Sequence, residues 1–286
     1  MKLLRLESAG RVIPCLLDRE ERARDVSKRV ADFTADTAAA LKDLLADADP
    51  ATFPEVDRRH ARLLPPIASP RNIWCIGLNY SDHAEESGMP IPEEPILFSK
   101  GSSTYCGAED PILWSDRMTK LDWEVELGVV IGKGGLGIAK QAALDHVLGY
   151  TVVNDVSERA WQTERGGQWI KGKSFPNFCP TGPFIASPDE LGDAGQLDMW
   201  LEVNGVRMQT GTTAKMIFDV ATIISYMSEF CELLPGDLIC TGTPPGVGLG
   251  MKPQRWLAPG NEVRLGIAGL GQQRQIVTPI SAGRPQ

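Results

Sequence analysis

Apolar residues along most of this chain occur in short runs bounded by polar or turn-forming residues, a pattern typical of β-strands rather than of long helices. A hairpin turn of type I′ is predicted at Asn204-Gly205. The runs predict strands at residues 3–6, 12–17, 72–77, 123–131, 150–155, 183–186, 199–203, 237–240, 262–267 and 275–279. The pattern therefore indicates an α+β protein that is mostly β.

Two stretches instead carry apolar residues at helical spacing. The first, residues 37–46, is predicted as a helix whose apolar face consists of Ala40, Leu41, Leu44 and Leu45. The second is predicted to begin at Thr212 or Thr213 as N-cap. Its apolar side carries Met216, Ile217, Val220, Ile223, Ile224 and Met227. Packing in the core is the interpretation that we prefer for this side.

Prolines divide the chain near residue 68. Residues 64–70 read Leu-Pro-Pro-Ile-Ala-Ser-Pro, and prolines at this density forbid a helix and indicate a linker or boundary. We therefore predict a small accessory domain at residues 1–68 and a larger catalytic domain at residues 69–286. A chain of 286 residues is long enough for such a division.

The charge balance excludes several classes of partner. There are 29 Lys and Arg residues against 37 Asp and Glu residues, a net charge of −8, which argues against nucleic acid and anionic membrane. No apolar run approaches the ~18 residues that a membrane span needs. Charged residues at positions 2, 5 and 7 precede any signal-type segment, and the six cysteines form no CxxC pair. We expect a cytoplasmic protein with reduced thiols.

Two acids interrupt the strand predicted at residues 123–131. Alternation would place Glu124 and Glu126 on one face of it, opposite an apolar face. Burial of unpaired carboxylates is costly unless something compensates their charge. A third acid, Asp155, ends the apolar run 150–155, and three oxygen ligands without His or Cys suit Mg²⁺, Mn²⁺ or Ca²⁺ rather than zinc. The alternative is a half-exposed strand whose glutamates face water.

A histidine and a glutamate form a second candidate group. Glu86 follows His83 by three residues, so the two side chains would meet on one face of a short helix. A carboxylate that orients an imidazole and raises its basicity is a recurring arrangement of general bases. The alternative is a surface turn with an incidental histidine. Tyr80, in the same run, is a candidate substrate contact.

Further polar groups follow Asp155. Arg159, Gln162 and Lys173 could grip a substrate carboxylate, although a solvated polar loop would have the same composition. Thr243 lies in a run rich in glycine and proline, residues 241–248, whose backbone and hydroxyl groups could line a site. That run could equally be a tight connection after a strand.

A glycine-rich run suggests a competing function. Gly132, Gly134 and Gly137 fit GxGxxG directly after a strand, with Asp155 about 20 residues on, as in dinucleotide-binding oxidoreductases that use NAD. Two acids in the preceding strand and the lack of regular βα alternation count against this interpretation. The chain has no GxSxG, P-loop or HExxH motif, so serine hydrolase, phosphate-loop and zincin chemistry have no support.

Together the fragments resemble the fumarylacetoacetate hydrolase family, from about residue 73 to the end of the chain. The motifs appear in the family's order: GLNYxDHxxE (77–86), PxLFxK (95–100), DWEVELGVVIG (122–132), GYTxxNDVSxR (149–159), KSF (173–175), NG (204–205) and TGTPPGVG (241–248). The resemblance implies a mixed β-roll or sandwich, a homodimer, and Mg²⁺, Mn²⁺ or Ca²⁺. Acids matching the family's metal ligands are Glu124, Glu126 and Asp155. Residues matching its catalytic and substrate groups are His83, Glu86, Lys173, Arg159 and Gln162.

Within the family, residues 164–173 most resemble the 2,4-diketo-3-deoxy-L-fuconate hydrolases, often labelled ureidoglycolate lyases. In that subgroup small residues and then Asp-Thr-Phe follow the lysine, whereas residues 174–178 here read Ser-Phe-Pro-Asn-Phe and contain no acid. The predicted substrate is therefore a 2,4-dioxo acid of either kind, an acylpyruvate or a 2,4-diketo-3-deoxy sugar acid.

The implied reaction is hydrolysis of the C3–C4 bond, which gives pyruvate and a carboxylic acid. The general base would be His83, held by Glu86, and the cation would take up the charge of the pyruvate enolate. Alternatives that stay open are decarboxylation of oxaloacetate, a lyase of the ureidoglycolate type, and a non-catalytic relative that binds a metabolite.

Overall fold

The structure of this protein, a computed structural model, describes residues 1–88 and 90–280. Strands hold 36% of the residues and helices 20%, as the mostly-β pattern predicts. The strands are β1 (Lys2–Ser8), β2 (Arg11–Leu17), β3 (Ala23–Asp25), β4 (Glu55–Val56), β5 (Arg62–Leu64), β6 (Ile73–Gly77), β7 (Ile96–Ser99), β8 (Tyr105–Gly107), β9 (Ile112–Trp114), β10 (Leu121–Asp122), β11 (Val125–Ile131), β12 (Val147–Asn154), β13 (Ser157–Glu158), β14 (Cys179–Ala186), β15 (Asp198–Val203), β16 (Val206–Thr212), β17 (Leu238–Cys240), β18 (Glu262–Ile267) and β19 (Gly271–Pro279).

The helices are short. The α-helices are α1 (Leu41–Leu44), α2 (Ser81–Ser87), α3 (Arg159–Thr163), α4 (Ile170–Lys173), α5 (Pro188–Leu191) and α6 (Val220–Phe230). Single turns of 3₁₀-helix lie at Ala38–Ala40, Pro50–Thr52, Arg58–His60, Ser102–Thr104 and Thr213–Lys215, and a longer one lies at Lys140–His146. Among the helices of the described residues, none is both long and apolar enough to cross a bilayer.

Two sheets build the body of the molecule. The larger has the order β4-β3-β2-β1-β14-β12-β11-β17-β6-β7, with β5 beside β1 and β8 beside β14. It is a mixed sheet, since β17 runs parallel to β6 and β14 runs parallel to β8. The smaller sheet has the order β16-β15-β18-β19-β9. Its β15–β16 hairpin turns at Asn204-Gly205, where both residues have positive φ, as the sequence predicts.

The central strand β11 is buried on both faces. Leu127 and Val129 pack in the core cluster that also contains Leu201 of β15 and Leu265 of β18, so this face lies against the smaller sheet. Val130 points the other way, into a second core cluster. Strand alternation is thus the reason that side chains at even positions of β11 avoid the main core.

The segment before residue 69 covers that second face. Phe33 and Leu41 are fully buried in the same cluster as Val130, and Leu3 and Leu4 of β1 are also buried. β1 lies between β2 and β14 and hydrogen-bonds to both. The main sheet therefore continues across the predicted boundary near residue 68, and the division into two domains stays a prediction.

The predicted helices differ from the observed ones. Pairing with β15 extends β16 through Thr212, whose side chain caps a 3₁₀ turn, so the helix does not begin there. It begins at Val220 with Asp219 as N-cap, because the Asp219 carboxylate accepts the Thr222 N–H at 2.7 Å. The Thr212/Thr213 start is therefore wrong, and Met216 and Ile217 lie outside α6. The buried positions Val220, Ile223, Ile224 and Met227 are confirmed.

The helix predicted at residues 37–46 is shorter than expected. Only one 3₁₀ turn and the four-residue α1 form there. Leu41 and Leu45 are buried as predicted, but Ala40 and Leu44 are exposed, so half of the predicted apolar face is wrong. The six cysteines carry free thiols, and five of them are buried.

Candidate metal centre and active site

Strand pairing brings the three predicted metal ligands together. Val125 of β11 pairs with Asn154 of β12, so Glu124 and Asp155 lie side by side just beyond that pair, and the Asp155 N–H donates to the Glu124 carbonyl at 2.9 Å. Glu126 comes next on the same face as Glu124. One carboxylate oxygen of each of the three lies within 4.8 Å of the others. All three side chains are buried, so the alternative of glutamates facing water is wrong.

Three cations surround two of these acids. Glu124 accepts from Arg159 at 2.5 Å and from Lys173 at 2.8 Å. Asp155 accepts from Lys173 at 2.6 Å through one oxygen and from Lys100 through the other. Because these ion pairs are buried, each charge is compensated by close partners rather than by water.

The pKa values of Glu124 and Glu126 are shifted in opposite directions. Burial alone would raise the pKa of Glu124, but the charges of Lys173 and Arg159 outweigh it and hold that pKa well below its ordinary value. For Glu126, burial and repulsion by Asp155 and Glu124 raise the pKa well above its ordinary value. The Glu126 carboxylate accepts the Gly242 N–H at 2.9 Å, and no cation of the described residues lies within ion-pair distance of it.

This donor set fits a hard divalent cation. Three carboxylates converge, and within the part of the chain that the structure describes one of them, Glu126, has no cationic side chain as ion-pair partner. Hard cations prefer oxygen ligands of this kind. A positive charge between them would offset the repulsion that raises the pKa of Glu126. Glu124, Glu126 and Asp155 are therefore the residues that would hold Mg²⁺, Mn²⁺ or Ca²⁺.

The histidine–glutamate pair lies in the same cavity. The His83 Nδ1 atom is 3.1 Å from a Glu86 carboxylate oxygen, one turn along α2. Glu86 is itself held by the Gly246 N–H, at 3.0 and 3.2 Å from its two oxygens. A cavity of about 840 Å³ is lined by both residues together with Glu124 and Glu126. The predicted base and two of the predicted metal ligands thus share one space.

One loop, residues 241–251, contacts all parts of this site; we name it the glycine loop. Its Gly242 and Gly246 N–H groups bind Glu126 and Glu86, as described above. Its Gly248 N–H donates to Asp122 at 2.6 Å. A side chain at Gly246 would meet the Met208 carbonyl oxygen at 2.0 Å, so the loop can pass this closely only with glycine there.

The residues predicted to bind the substrate through charged or amide groups lie on α3 and α4. Arg159 begins α3, and its Nε atom donates to Asp122 at 2.8 Å while another of its nitrogens donates to Gln162 at 2.9 Å. Lys173 ends α4, and its ammonium group lies among the acids. Arg159, Gln162 and Lys173 all line the cavity. The charges of Arg159 and Lys173 are already paired with acids, so these two residues hold the site's geometry as well as facing the cavity.

Two other residues predicted to contact the substrate, Tyr80 and Thr243, use their hydroxyl groups to bind protein atoms. The Tyr80 side chain is fully buried, its hydroxyl donates to the Met199 sulfur at 3.2 Å, and it is absent from the described cavity lining. The prediction that Tyr80 contacts the substrate directly is therefore wrong. Thr243 does line the cavity, but its hydroxyl donates to the Val125 carbonyl and accepts from Gln209. Its hydroxyl fastens the glycine loop to β11.

Sequence reasoning missed two charged residues of the site. Lys100 is a fully buried ion-pair partner of Asp155, and Asp122 joins Arg159 to the glycine loop. Both lie in motifs recognised from the sequence, PxLFxK and DWEVELGVVIG, directly next to short apolar runs. A charged residue at such a position was the available signal, because burial there requires a partner of opposite charge.

The GxGxxG run does not form a dinucleotide site. Residues 132–137 lie between β11 and β12, and these strands are antiparallel neighbours. A dinucleotide fold needs a parallel strand pair with a crossover helix. The oxidoreductase alternative is therefore wrong, and the glycines serve a connection that bridges Gly135 to Leu233.

Comparison with known proteins gives consistent matches along the chain. The family profile described as Fumarylacetoacetate (FAA) hydrolase C-terminal matches residues 72–278. A protein of Burkholderia multivorans, named as a presumed hydrolase, is 50% identical over 279 residues, 96% of this chain and 98% of that protein. Fumarylacetoacetate hydrolase from psychrophilic Exiguobacterium antarcticum is 36% identical with a TM-score of 0.89, covering 98% of this chain and 99% of that one.

A more distant solved structure contains ligands. Maleylpyruvate hydrolase from Sphingobium sp. SYK-6, solved with manganese(II) and pyruvate, is 25% identical to this chain. Its TM-score is 0.79, with coverage of 98% of this chain and 99% of that one.

Proposed function

Because this chain belongs to the fumarylacetoacetate hydrolase family, we propose that it is a divalent-metal-dependent hydrolase of 2,4-dioxo acids. The reaction adds water across the C3–C4 bond and yields pyruvate and a carboxylic acid. The observation that carries the proposal is the convergence of Glu124, Glu126 and Asp155 within 4.8 Å, with two of the three in the same cavity as His83 and Glu86. The related maleylpyruvate hydrolase, which was solved with manganese(II) and pyruvate, supports it.

The histidine–glutamate pair supplies the base. An ionised Glu86 carboxylate can only accept a hydrogen bond, so His83 donates from Nδ1 and its basic atom is Nε2. That nitrogen takes a proton from the water that attacks C4. The Gly246 N–H fixes Glu86, so the imidazole is held in one tautomer and one orientation before substrate enters.

The buried cations serve the other end of the substrate. When bound, a divalent cation supplies Lewis-acid stabilisation of negative charge on a 2-oxo acid. Arg159 and Lys173 add fixed positive charge where the pyruvate enolate develops, and Gln162 and Asp122 hold Arg159 in place. As C3 and C4 separate, the electron pair stays on C3, which then takes up the proton that His83 removed from the water, giving pyruvate.

Hydrolysis is favoured over the decarboxylation of oxaloacetate by the His83–Glu86 pair. Decarboxylation breaks a C–C bond without an attacking water, so it has no use for an oriented general base. The subgroup resemblance to 2,4-diketo-3-deoxy-L-fuconate hydrolases remains a proposal of the same reaction type with a sugar-acid substrate.

The test follows pyruvate release from a panel of 2,4-dioxo acids and oxaloacetate. We expect activity to vanish with EDTA and to return with Mg²⁺ or Mn²⁺. Activity that withstands chelation, or pyruvate from oxaloacetate alone, would contradict the proposal. We also propose a homodimer, on the family resemblance, and light scattering during gel filtration measures it.

A further inference from the structure

By chemistry, the lining residues of the cavity fall into two groups, which we call the charged half and the apolar half. The cavity has in its charged half Glu124, Glu126, Arg159, Lys173 and the His83–Glu86 pair. Its other lining includes Leu78, Phe98, Trp169, Val247, Leu249 and Met251. A volume of about 840 Å³ lies within the ~300–1,000 Å³ of sites that bind drug-sized ligands, so it exceeds the needs of a four-carbon acid.

Leu78, one of these apolar lining residues, has an unfavourable backbone conformation. Its φ is +51°, in the left-handed region that branched and bulky residues rarely occupy. The neighbouring Asn79 is fully buried and locked, because its side chain donates to the Phe218 and Thr241 carbonyls at 3.0 and 2.8 Å and accepts the Phe218 N–H at 2.8 Å. Such strain persists where the surroundings over-determine it, and it is commonly found at functional sites.

Two aromatic side chains also line the cavity. Phe98 and Trp169 meet edge to face with ring centroids 5.3 Å apart, and both are half-buried. A side chain at Gly77 would meet the Trp169 ring at 2.4 Å, so glycine at this position makes room for the indole. The Lys173 ammonium lies 5.3 Å from the Phe98 ring centroid, which places the aromatic pair next to the charged half.

The remaining apolar residues of the lining include three from the glycine loop. Val247 is buried, Leu249 is 38% exposed and Met251 is half-buried. Four further polar residues of the lining, Glu85, Thr163, Lys252 and Gln254, are exposed. Hydroxyl groups placed against Leu78, Phe98 and Trp169 would face hydrocarbon, and unpaired polar groups in such surroundings bind poorly.

From these observations we infer that the preferred substrate is an acylpyruvate whose acyl group is apolar and flat, such as an aroyl group. The inference rests on the proposed function and deepens it. The charged half binds the 2-oxo acid part of the substrate. The acyl group contacts Leu78, Phe98 and Trp169, which we call the wall. Sugar acids with hydroxylated tails are then poor substrates.

The first experiment compares kcat/KM of the Mn²⁺-loaded enzyme for benzoylpyruvate, acetylpyruvate and 2,4-diketo-3-deoxy-L-fuconate. We expect benzoylpyruvate to exceed the other two by about tenfold or more, the discrimination that an apolar pocket gives. Equal or better turnover of the sugar acid would overturn the inference while leaving the proposed function intact. Failure of all three would count against the proposed function.

Binding is measured separately by calorimetry with two acids that cannot be cleaved, 2-oxo-4-phenylbutanoate and 2-oxobutanoate. We expect about tenfold tighter binding of the phenyl compound. This result would keep the tail-binding inference even if no hydrolysis occurred, and equal affinities would overturn it.

Two variants connect the preference to the wall. Leu78→Asn removes the apolar side chain and places there a residue that tolerates positive φ, so the backbone is not strained further. We expect the benzoylpyruvate to acetylpyruvate ratio of kcat/KM to fall about tenfold. The matched control is Leu136→Asn, at a leucine 67% exposed outside the described cavity lining, which should leave the ratio unchanged. An unchanged ratio in Leu78→Asn, or an equal fall in the control, would overturn the role of the wall.

Discussion

The floor of the cavity and its rim helix are built in opposite ways. We define the floor as Glu124, Glu126 and Asp155, which lie at the ends of two central strands; the side chains of Glu124 and Asp155 are 7% and 0% exposed. His83 and Glu86 lie on the seven-residue α2, with side chains 12% and 21% exposed and no side-chain N-cap. The proposed metal ligands are thus fixed at the buried ends of the strands, and the proposed base lies on a more exposed helix.

The glycine loop joins the two regions. Its backbone N–H groups hold Glu126 of the floor and Glu86 of the rim helix, and its Gly248 holds Asp122. Damage to the floor, to the rim or to their connection should therefore give three distinguishable defects.

The largest effect is expected at the rim. Replacement of His83 by Asn removes the base, so kcat should fall by about 10²–10⁴-fold. Mn²⁺ affinity, measured by calorimetry, should stay within about twofold, because His83 is not among the carboxylates of the floor. A large loss of Mn²⁺ affinity would mean that rim and floor are one unit and that the comparison is wrong.

The floor is tested by Glu126→Gln, which keeps the size of the side chain and removes one charge. We expect Mn²⁺ affinity to fall, and kcat/KM at subsaturating Mn²⁺ to fall by about 10²–10³-fold, the cost of losing one electrostatic stabiliser. Binding of Mn²⁺ as tight as in the unaltered enzyme would contradict the assignment of Glu126 as a ligand.

The connection is tested at Asp122. Asp122→Ala removes the acceptor for Gly248 and the partner of Arg159, and we expect kcat/KM to fall about 10–100-fold, as for residues that orient ligands. Breaking this buried pair should also lower the free energy of unfolding by roughly 3–5 kcal/mol. Asp122→Asn keeps an acceptor for the loop, so it should recover part of both; no difference between the two variants would exclude an acceptor role.

The smallest effect is a pH dependence of the floor. Because the pKa of Glu126 is raised above its ordinary value of 4.5, this group is protonated below the raised pKa and must lose a proton to bind a cation. Mn²⁺ affinity should rise about tenfold per pH unit until the raised pKa is passed. A Mn²⁺ affinity that does not change as the pH rises above 4.5, measured by calorimetry in several buffers, would contradict this prediction.

The same shift predicts the stability of the metal-free protein. Since the folded-state pKa is raised, the stabilisation from Glu126 is complete below its ordinary pKa and is lost as the pH rises through the raised one. Thermal unfolding should therefore show metal-free protein losing stability with rising pH, and added Mn²⁺ should restore it.

The sequence predicted the floor better than the helices because its signals are local. Glu124 and Glu126 stand out as acids in a buried strand, and strand alternation alone places them on one face. The start of α6 was misjudged because pairing between β15 and β16 carries the strand to Thr212, and that pairing is a contact between separate segments.

Lys100 and Asp122 show the same limit within the site. Each is separated from its partner by dozens of residues, Lys100 from Asp155 and Asp122 from both Arg159 and Gly248. A residue pattern can indicate that a charge must be compensated, but only the assembled sheet shows which side chain does it. Tyr80 was misjudged for the converse reason, since its place in a motif beside His83 does not show that it points into the core.

The position of β1 between β2 and β14 has a consequence for synthesis on the ribosome. β1 and β2 can pair as soon as they emerge, and β5 can then pair with residues 5–7 on the other edge of β1. The partner of Lys2 and Leu3 on that edge is β14, which is absent until residues 179–186 have been translated. During that interval the Lys2–Leu3 end of this edge is unpaired, and unpaired strand edges are templates for aggregation. The emerging chain must therefore keep this edge apart from other chains until well over half of the protein has been made.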